Sequence, residues 1–190
     1  IVSPAYSEEN YFSFKTKNIE IKDNGDLIKA YNGKAVSKDG NFEISADNFQ
    51  YFKKLGILKI NGNGLIIHRK KNFKIEFEKG EVNQEKSILE ATGKILAEDQ
   101  NIGLKIETEK LNLNFKDNIL SSNKKSKIND KFQNLLIAEK FKYEIQNDLI
   151  KLSKLKLTDK NNNTFELTSA YLNTKTNNLL GKDLFLELDN

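Results

Sequence analysis

Adjacent pairs of aliphatic residues recur along this chain at a near-constant interval, and no other feature limits its folding options so sharply. The pairs are Leu27-Ile28, Ile57-Leu58, Ile88-Leu89, Ile119-Leu120, Leu149-Ile150 and Leu179-Leu180, with first members 30, 31, 31, 30 and 30 residues apart. A second marker, apolar residues two positions apart, precedes each pair: Phe12/Phe14, Phe42/Ile44, Phe73/Ile75, Leu104/Ile106, Leu135/Ile137 and Phe165/Leu167. A third lies between them, at Ile19/Ile21, Phe49/Tyr51, Val82, Leu111/Leu113, Phe141/Tyr143 and Leu172. Three markers in register over six units describe a repeat array in which each unit buries its apolar face against the next.

Each unit has the periodicity of strands. The stretch Phe42-Glu43-Ile44-Ser45-Ala46-Asp47-Asn48-Phe49-Gln50-Tyr51 alternates with period two, which gathers one set of side chains on one sheet face. A polar turn follows, at Lys53-Lys54, Lys116-Asp117-Asn118 or Gln146-Asn147-Asp148, and then a shorter alternating stretch such as Leu58-Lys59-Ile60 or Ile150-Lys151-Leu152. Asn24-Gly25, Asn32-Gly33, Asp39-Gly40 and Asn61-Gly62 read as turns between strands, because both residue types accept left-handed backbone. Glu81 to Lys94 is rich in helix formers but keeps the repeat register and is read as strand. The expectation is an all-β, antiparallel array of about six strand-turn-strand repeats, hence about twelve strands, with connections too short for crossover helices.

Composition removes several function classes. No run of eighteen apolar residues exists, so no segment spans a membrane as a helix. The formal charge of +4 comes from lysines and the single Arg69, whereas phosphate and base readout favour the guanidinium fork. Aromatics sit inside the alternating stretches and the basic clusters Arg69-Lys70-Lys71 and Lys124-Lys125-Ser126-Lys127 in turns, so no stacking platform is interleaved with charge and no nucleic acid is expected. There is no Cys, and His68 is the only histidine, so no Cys-based metal site, histidine cluster or triad is available. His68 is expected in a solvent-exposed turn, Gly62-Asn63-Gly64 in a strand-connecting turn rather than a phosphate loop, and Glu8-Glu9 at a terminus without a pocket. The chain reads as a non-enzyme without a cofactor. Ile1-Val2-Ser3-Pro4-Ala5-Tyr6-Ser7 reads as a signal-peptide remnant, with Ala5 and Ser7 as the small cleavage-site residues, leaving 8–190 as a single exported domain.

Thirteen apolar positions share one sheet face: Phe12, Phe14, Phe42, Ile44, Phe49, Tyr51, Ile106, Leu111, Leu113, Phe141, Tyr143, Phe165 and Leu167. They are the candidate lining of a lipid slot. The competing reading is an ordinary dry core, which would suit a structural exported β-array or adhesin-like module. If the sheet does not close, its margins offer unpaired backbone groups to neighbours by strand addition. The incoming edge is assigned to Phe12–Ile21 and the outgoing one to the last unit, Phe165–Leu188, with Leu184-Phe185-Leu186-Glu187-Leu188 as the final strand.

One local pattern recurs within the units. It reads Ser45-Ala46-Asp47-Asn48-Phe49-Gln50-Tyr51 followed by Ile57-Leu58-Lys59-Ile60-Asn61-Gly62-Asn63-Gly64, with echoes at Glu107 to Leu113 with Ile119-Leu120 and at Ile137 to Tyr143 with Leu149-Ile150. This resembles the OstA-like repeat of the lipopolysaccharide transport family, over roughly residues 11 to 190. The ending, Thr176 to Leu184, looks most like the periplasmic domain that precedes a barrel in the family's outer-membrane member, with the soluble bridging member a close second. The resemblance implies an open, twisted β-jellyroll whose interior carries lipopolysaccharide acyl chains in the periplasm, associated with the outer membrane. It also implies docking to other jellyrolls and, for a fragment of the barrel protein, to the barrel and its lipoprotein partner. The chain departs from that pattern in having no following barrel and no Cys to tie the domain to one.

Overall fold

The structure is a computed structural model that describes residues 12–37, 40–69 and 72–187. These residues form one antiparallel sheet of fifteen strands. In chain order they are β1 (Phe12–Lys15), β2 (Asn18–Lys22), β3 (Leu27–Ser37), β4 (Phe42–Phe52), β5 (Ile57–His68), β6 (Phe73–Asn83), β7 (Ile88–Asp99) and β8 (Leu104–Asn114). There follow β9 (Ile119–Ser122), β10 (Ser126–Asn129), β11 (Leu135–Glu144), β12 (Leu149–Thr158), β13 (Thr164–Asn173), β14 (Asn178–Lys182) and β15 (Phe185–Glu187). Three lanes consist of two short strands end to end: β1 and β2 on β3, β9 and β10 between β8 and β11, and β14 and β15 on β13. Fifteen strands therefore make twelve lanes, in agreement with six units of two. Glu81 to Lys94 is strand, turn and strand, as its register required.

Most lanes bend once, near the middle. The pairing register slips between Ser45 and Asn48 on β4, Asn61 and Gly64 on β5, Glu76 and Lys79 on β6, and Thr92 and Ile95 on β7. Each slip is a β-bulge, which sharpens the local bend of a strand. Left-handed backbone supplies the geometry at Asn32 (φ 47°), Gly62 (φ 80°), Asn63 (φ 47°), Gly93 (φ 100°) and Lys154 (φ 49°). In the split lanes the chain leaves the ladder at the same level, at 16–17, 123–125 and 183–184. These positions line up into a seam across the sheet, and the sheet folds along it into two layers. The first layer holds halves such as 42–46, 64–68 and 95–99; the second holds 48–52, 57–61 and 88–92.

Burial follows that fold. Along β4 the inward residues are Phe42, Ile44 and Ala46 before the bend, and Phe49 and Tyr51 after it, so the bend changes the phase of the alternation. The inward faces of the two layers pack as in a sandwich. Contacts between layers fix the arrangement. The Phe14 ring of the first layer lies 6.0 Å from Phe49 and 5.9 Å from Tyr51 of the second, and Phe42 lies edge-on to Phe115 at 4.6 Å.

Three sequence expectations are corrected here. Asn32-Gly33 and Asn61-Gly62 do not reverse the chain; they bend β3 and β5 at the seam, and Gly62-Asn63-Gly64 is the same bend rather than a connecting turn. The returning strands are accordingly long, and Leu58-Lys59-Ile60 only begins the twelve residues of β5. His68 is not exposed: it ends β5 facing inward, 6% accessible, with its ring 4.5 Å from that of Phe42. The turns at Asn24-Gly25, Lys53-Lys54, 116–118 and 146–148 lie where expected, and Gly40 closes the β3–β4 hairpin by donating its N–H to the Ser37 carbonyl at 2.8 Å. The expected signal-peptide remnant, Glu8-Glu9, Asp39, Lys70-Lys71 and Leu188 lie outside the described residues.

Candidate lipid-binding interior

All thirteen candidate residues point between the layers. Phe12, Phe14, Phe42, Ile44, Ile106, Phe165 and Leu167 come from the first layer, and Phe49, Tyr51, Leu111, Leu113, Phe141 and Tyr143 from the second. Eleven of them are buried; Phe14 and Phe165, next to the two margins of the sheet, are half-buried. Sequence reasoning left out Leu58, Ile66, Ile75, Leu89, Leu120 and Ile150, which are as deeply buried and face the same space. The signal was available, because Phe73/Ile75 and the aliphatic pairs obey the same alternation.

The interior is apolar but bounded by two polar groups. Near the seam, Thr108, Ser122 and Ser126 are buried together, and their hydroxyls lie 3.1 Å from one another in a chain running Ser126–Thr108–Ser122. They fill the gap where the β9–β10 lane breaks, and Ser126 also donates to the Lys124 carbonyl at 2.8 Å. On the opposite, free margin, the tips of the layers meet. There the Tyr143 hydroxyl donates to Asp99 at 3.3 Å, beside Thr174 of the turn after β13. Burial pushes the Asp99 carboxyl above the ordinary carboxylate range, and burial together with the Asp99 charge pushes the Tyr143 phenol up.

The two ends of the stack differ from the middle. On β2, Ile19 and Ile21 are on the inward face yet 50% and 65% accessible, because no lane covers them. At the other end Leu179 faces inward, while Leu180 and Phe185 are exposed on the outside. The Phe12–Ile21 segment is an edge, as expected, but Phe165 is not: it lies on β13, one lane inside, and β14 with β15 form the margin. Among the described residues β1 and β2 do not pair with β14 or β15, so the sheet is open.

Arg69 and Lys34 both engage Glu43, holding its carboxyl below the ordinary range, and Lys127 pairs with Glu107 at 3.5 Å. Among the described residues no group of three or more His, Asp and Glu side chains gathers where a metal ion could be held.

A family model described as lipopolysaccharide-assembly, LptC-related matches residues 2–155, a span that runs from before β1 into β12. Among solved structures, the chain overlays on LptH from Pseudomonas aeruginosa, described as the LptA homologous periplasmic component of a conserved lipopolysaccharide transport device. The identity is 11%, with 78% of this chain and 95% of that chain covered, at a TM-score of 0.33. At that TM-score the likeness supports no inference. No curated protein matches the chain.

Proposed function

Because the chain belongs to the LptC-related lipopolysaccharide-assembly family, we propose that it carries lipopolysaccharide across the periplasm, with the acyl chains held between the two layers of its sheet. The single observation behind this reading is the inward face: a continuous apolar surface running from β1 to β13, opening at uncovered edge residues Ile19 and Ile21. Transfer of one methylene out of water is worth roughly 0.8 kcal/mol, so a twelve-carbon chain gains about 9 kcal/mol without any directed bond. A slot of this kind needs no reacting group. It does need room, and the layers are in contact, so loading requires them to part along the free margin while the seam holds.

In this reading the margins β1–β2 and β14–β15 accept strands from neighbouring jellyrolls, so that the apolar surface continues from one domain to the next. The domain works at the outer-membrane end of such a bridge, and a barrel with its lipoprotein partner would be the receiver. Displacement of a fluorescent acyl-chain probe tests cargo carriage. Lipopolysaccharide is expected to displace the probe and its acyl-free saccharide is not; equal displacement by both, or by neither, would leave a structural array as the better account.

A further inference from the structure

The outward face of the second layer is concave, enclosing about 840 Å3 above β3 to β7. Tyr31, Asn48, Asn61, Lys79 and Thr92 lie side by side across these five strands, each directly paired with the next. Lys29, Gln50 and Lys59 form the adjacent row. Among the described residues, the side chains of Asn48, Gln50, Asn61, Lys79 and Thr92 engage no other protein group. The carboxylates of the same hollow are already held, Glu90 by Lys110 at 3.2 Å and Glu81 by Lys59 at 4.0 Å. Among the described residues, Lys29, Lys79 and Lys86 have no carboxylate within 4.0 Å, and the nearest acid to Lys29 is its cross-strand neighbour Glu20, which Lys22 already holds at 3.2 Å.

This chemistry selects a ligand class. Each amide offers an acceptor and two donors, which suits the adjacent hydroxyls of a sugar ring. Lysines supply point charges to phosphate oxygens. Tyr31, its hydroxyl donating to Glu20 at 3.2 Å, presents a ring at one end of the row, where the apolar face of a sugar can lie. A single-stranded nucleic acid would call for several exposed rings, and the other aromatic residue of the hollow, Phe49, is turned inward at 1% accessible. We propose that this concavity binds a phosphate-bearing saccharide, either as the polar part of a glycolipid or as a free sugar phosphate. It lies on the opposite side of the sheet from the acyl-chain interior, so the two sites fill independently.

The test is a nuclear magnetic resonance titration of the isotope-labelled chain with an acyl-free phosphorylated oligosaccharide. Shifts are expected at the Asn48 and Asn61 side-chain amides and around Tyr31. The double variants Lys29→Ala/Lys79→Ala and Asn48→Ala/Asn61→Ala should each weaken binding by about tenfold or more. Lys125→Ala, in the seam between β9 and β10 and outside this hollow, should not. Dephosphorylation of the saccharide should weaken binding, and salt should too. Parallel titrations with the intact glycolipid and a hexose phosphate identify the source. Absence of shifts in the hollow, equal losses in Lys125→Ala, or an oligonucleotide binding the same residues as tightly would each overturn the proposal. None of these results depends on the acyl-probe displacement.

Discussion

Tyr143 of the second layer and Asp99 of the first are joined by a hydrogen bond of 3.3 Å at the free margin of the sandwich, opposite the seam. Asp99 also accepts the Asn101 backbone N–H at 3.1 Å and is 6% accessible. The pair is placed where the layers must separate if lipid is to enter.

Burial sets the pH behaviour of this contact. The folded Asp99 carboxyl titrates above its ordinary range, chiefly through desolvation and with Asp148 adding to it. The folded state therefore binds the Asp99 proton more tightly than the unfolded state. The stability this group contributes is full at acidic pH and is lost as pH rises through the ordinary carboxylate range up to the raised folded value. Asp99→Asn should flatten the melting temperature across that window and raise it at neutral pH. Tyr143→Phe should cost about 1–3 kcal/mol at neutral pH, roughly 2–12 °C for a chain of this size. Thermal unfolding between acidic and neutral pH checks both; a variant Asp99→Asn with the wild-type slope would contradict the assignment.

The seam predicts a second effect. Gly93 has a φ of 100°, and a Cβ there would lie 2.7 Å from the Cβ of Glu78 on the next lane. Gly93→Ala should destabilise the fold by about 1–3 kcal/mol, read from denaturant midpoints. An unchanged midpoint would mean that the bend is not held at this position.

Much of this architecture was legible in the sequence and one element was not. The markers Phe42/Ile44 and Phe49/Tyr51 gave strand identity, repeat length and the inward residues. The five-residue step from Ile44 to Phe49 is a change of phase, since strict alternation cannot put both on one face. An Asn-Gly step suits a chain reversal and a mid-strand bulge equally, because both draw on the same left-handed conformations. Only pairing on both sides of Asn61-Gly62 distinguishes them, and that is a tertiary property. The burial of His68 depends on the same feature: a short returning strand leaves it in a loop, and only the full length of β5 carries it to the inward face. Asp99–Tyr143, forty-four residues apart, has no local signature at all.

A packed interior has a mechanical consequence. Leu113 is 1% accessible and packed between the layers. Leu113→Ala should destabilise the lipid-free chain by about 2–5 kcal/mol, because the cavity left behind cannot fully collapse. A cost of under 1 kcal/mol in chemical denaturation would indicate an interior already open to water.

The edge residues separate docking from folding. Ile19 and Ile21 are half exposed or more, so Ile19→Asp with Ile21→Asp should shift stability little, by roughly 0.5 kcal/mol per site. The same change should abolish capture of a second jellyroll domain in a cross-linking assay. Undiminished capture would remove β2 from the docking surface.

The most direct measurement places a photoreactive side chain at Phe49, Tyr51 or Leu113, with Lys125 as the exterior control. The domain is given lipopolysaccharide, irradiated and resolved on a gel. Adducts at the interior positions and none at Lys125 are the expected result, and they would put acyl chains between the layers. No interior adduct from a chain whose β-fold is verified would contradict carriage of lipid within the sandwich.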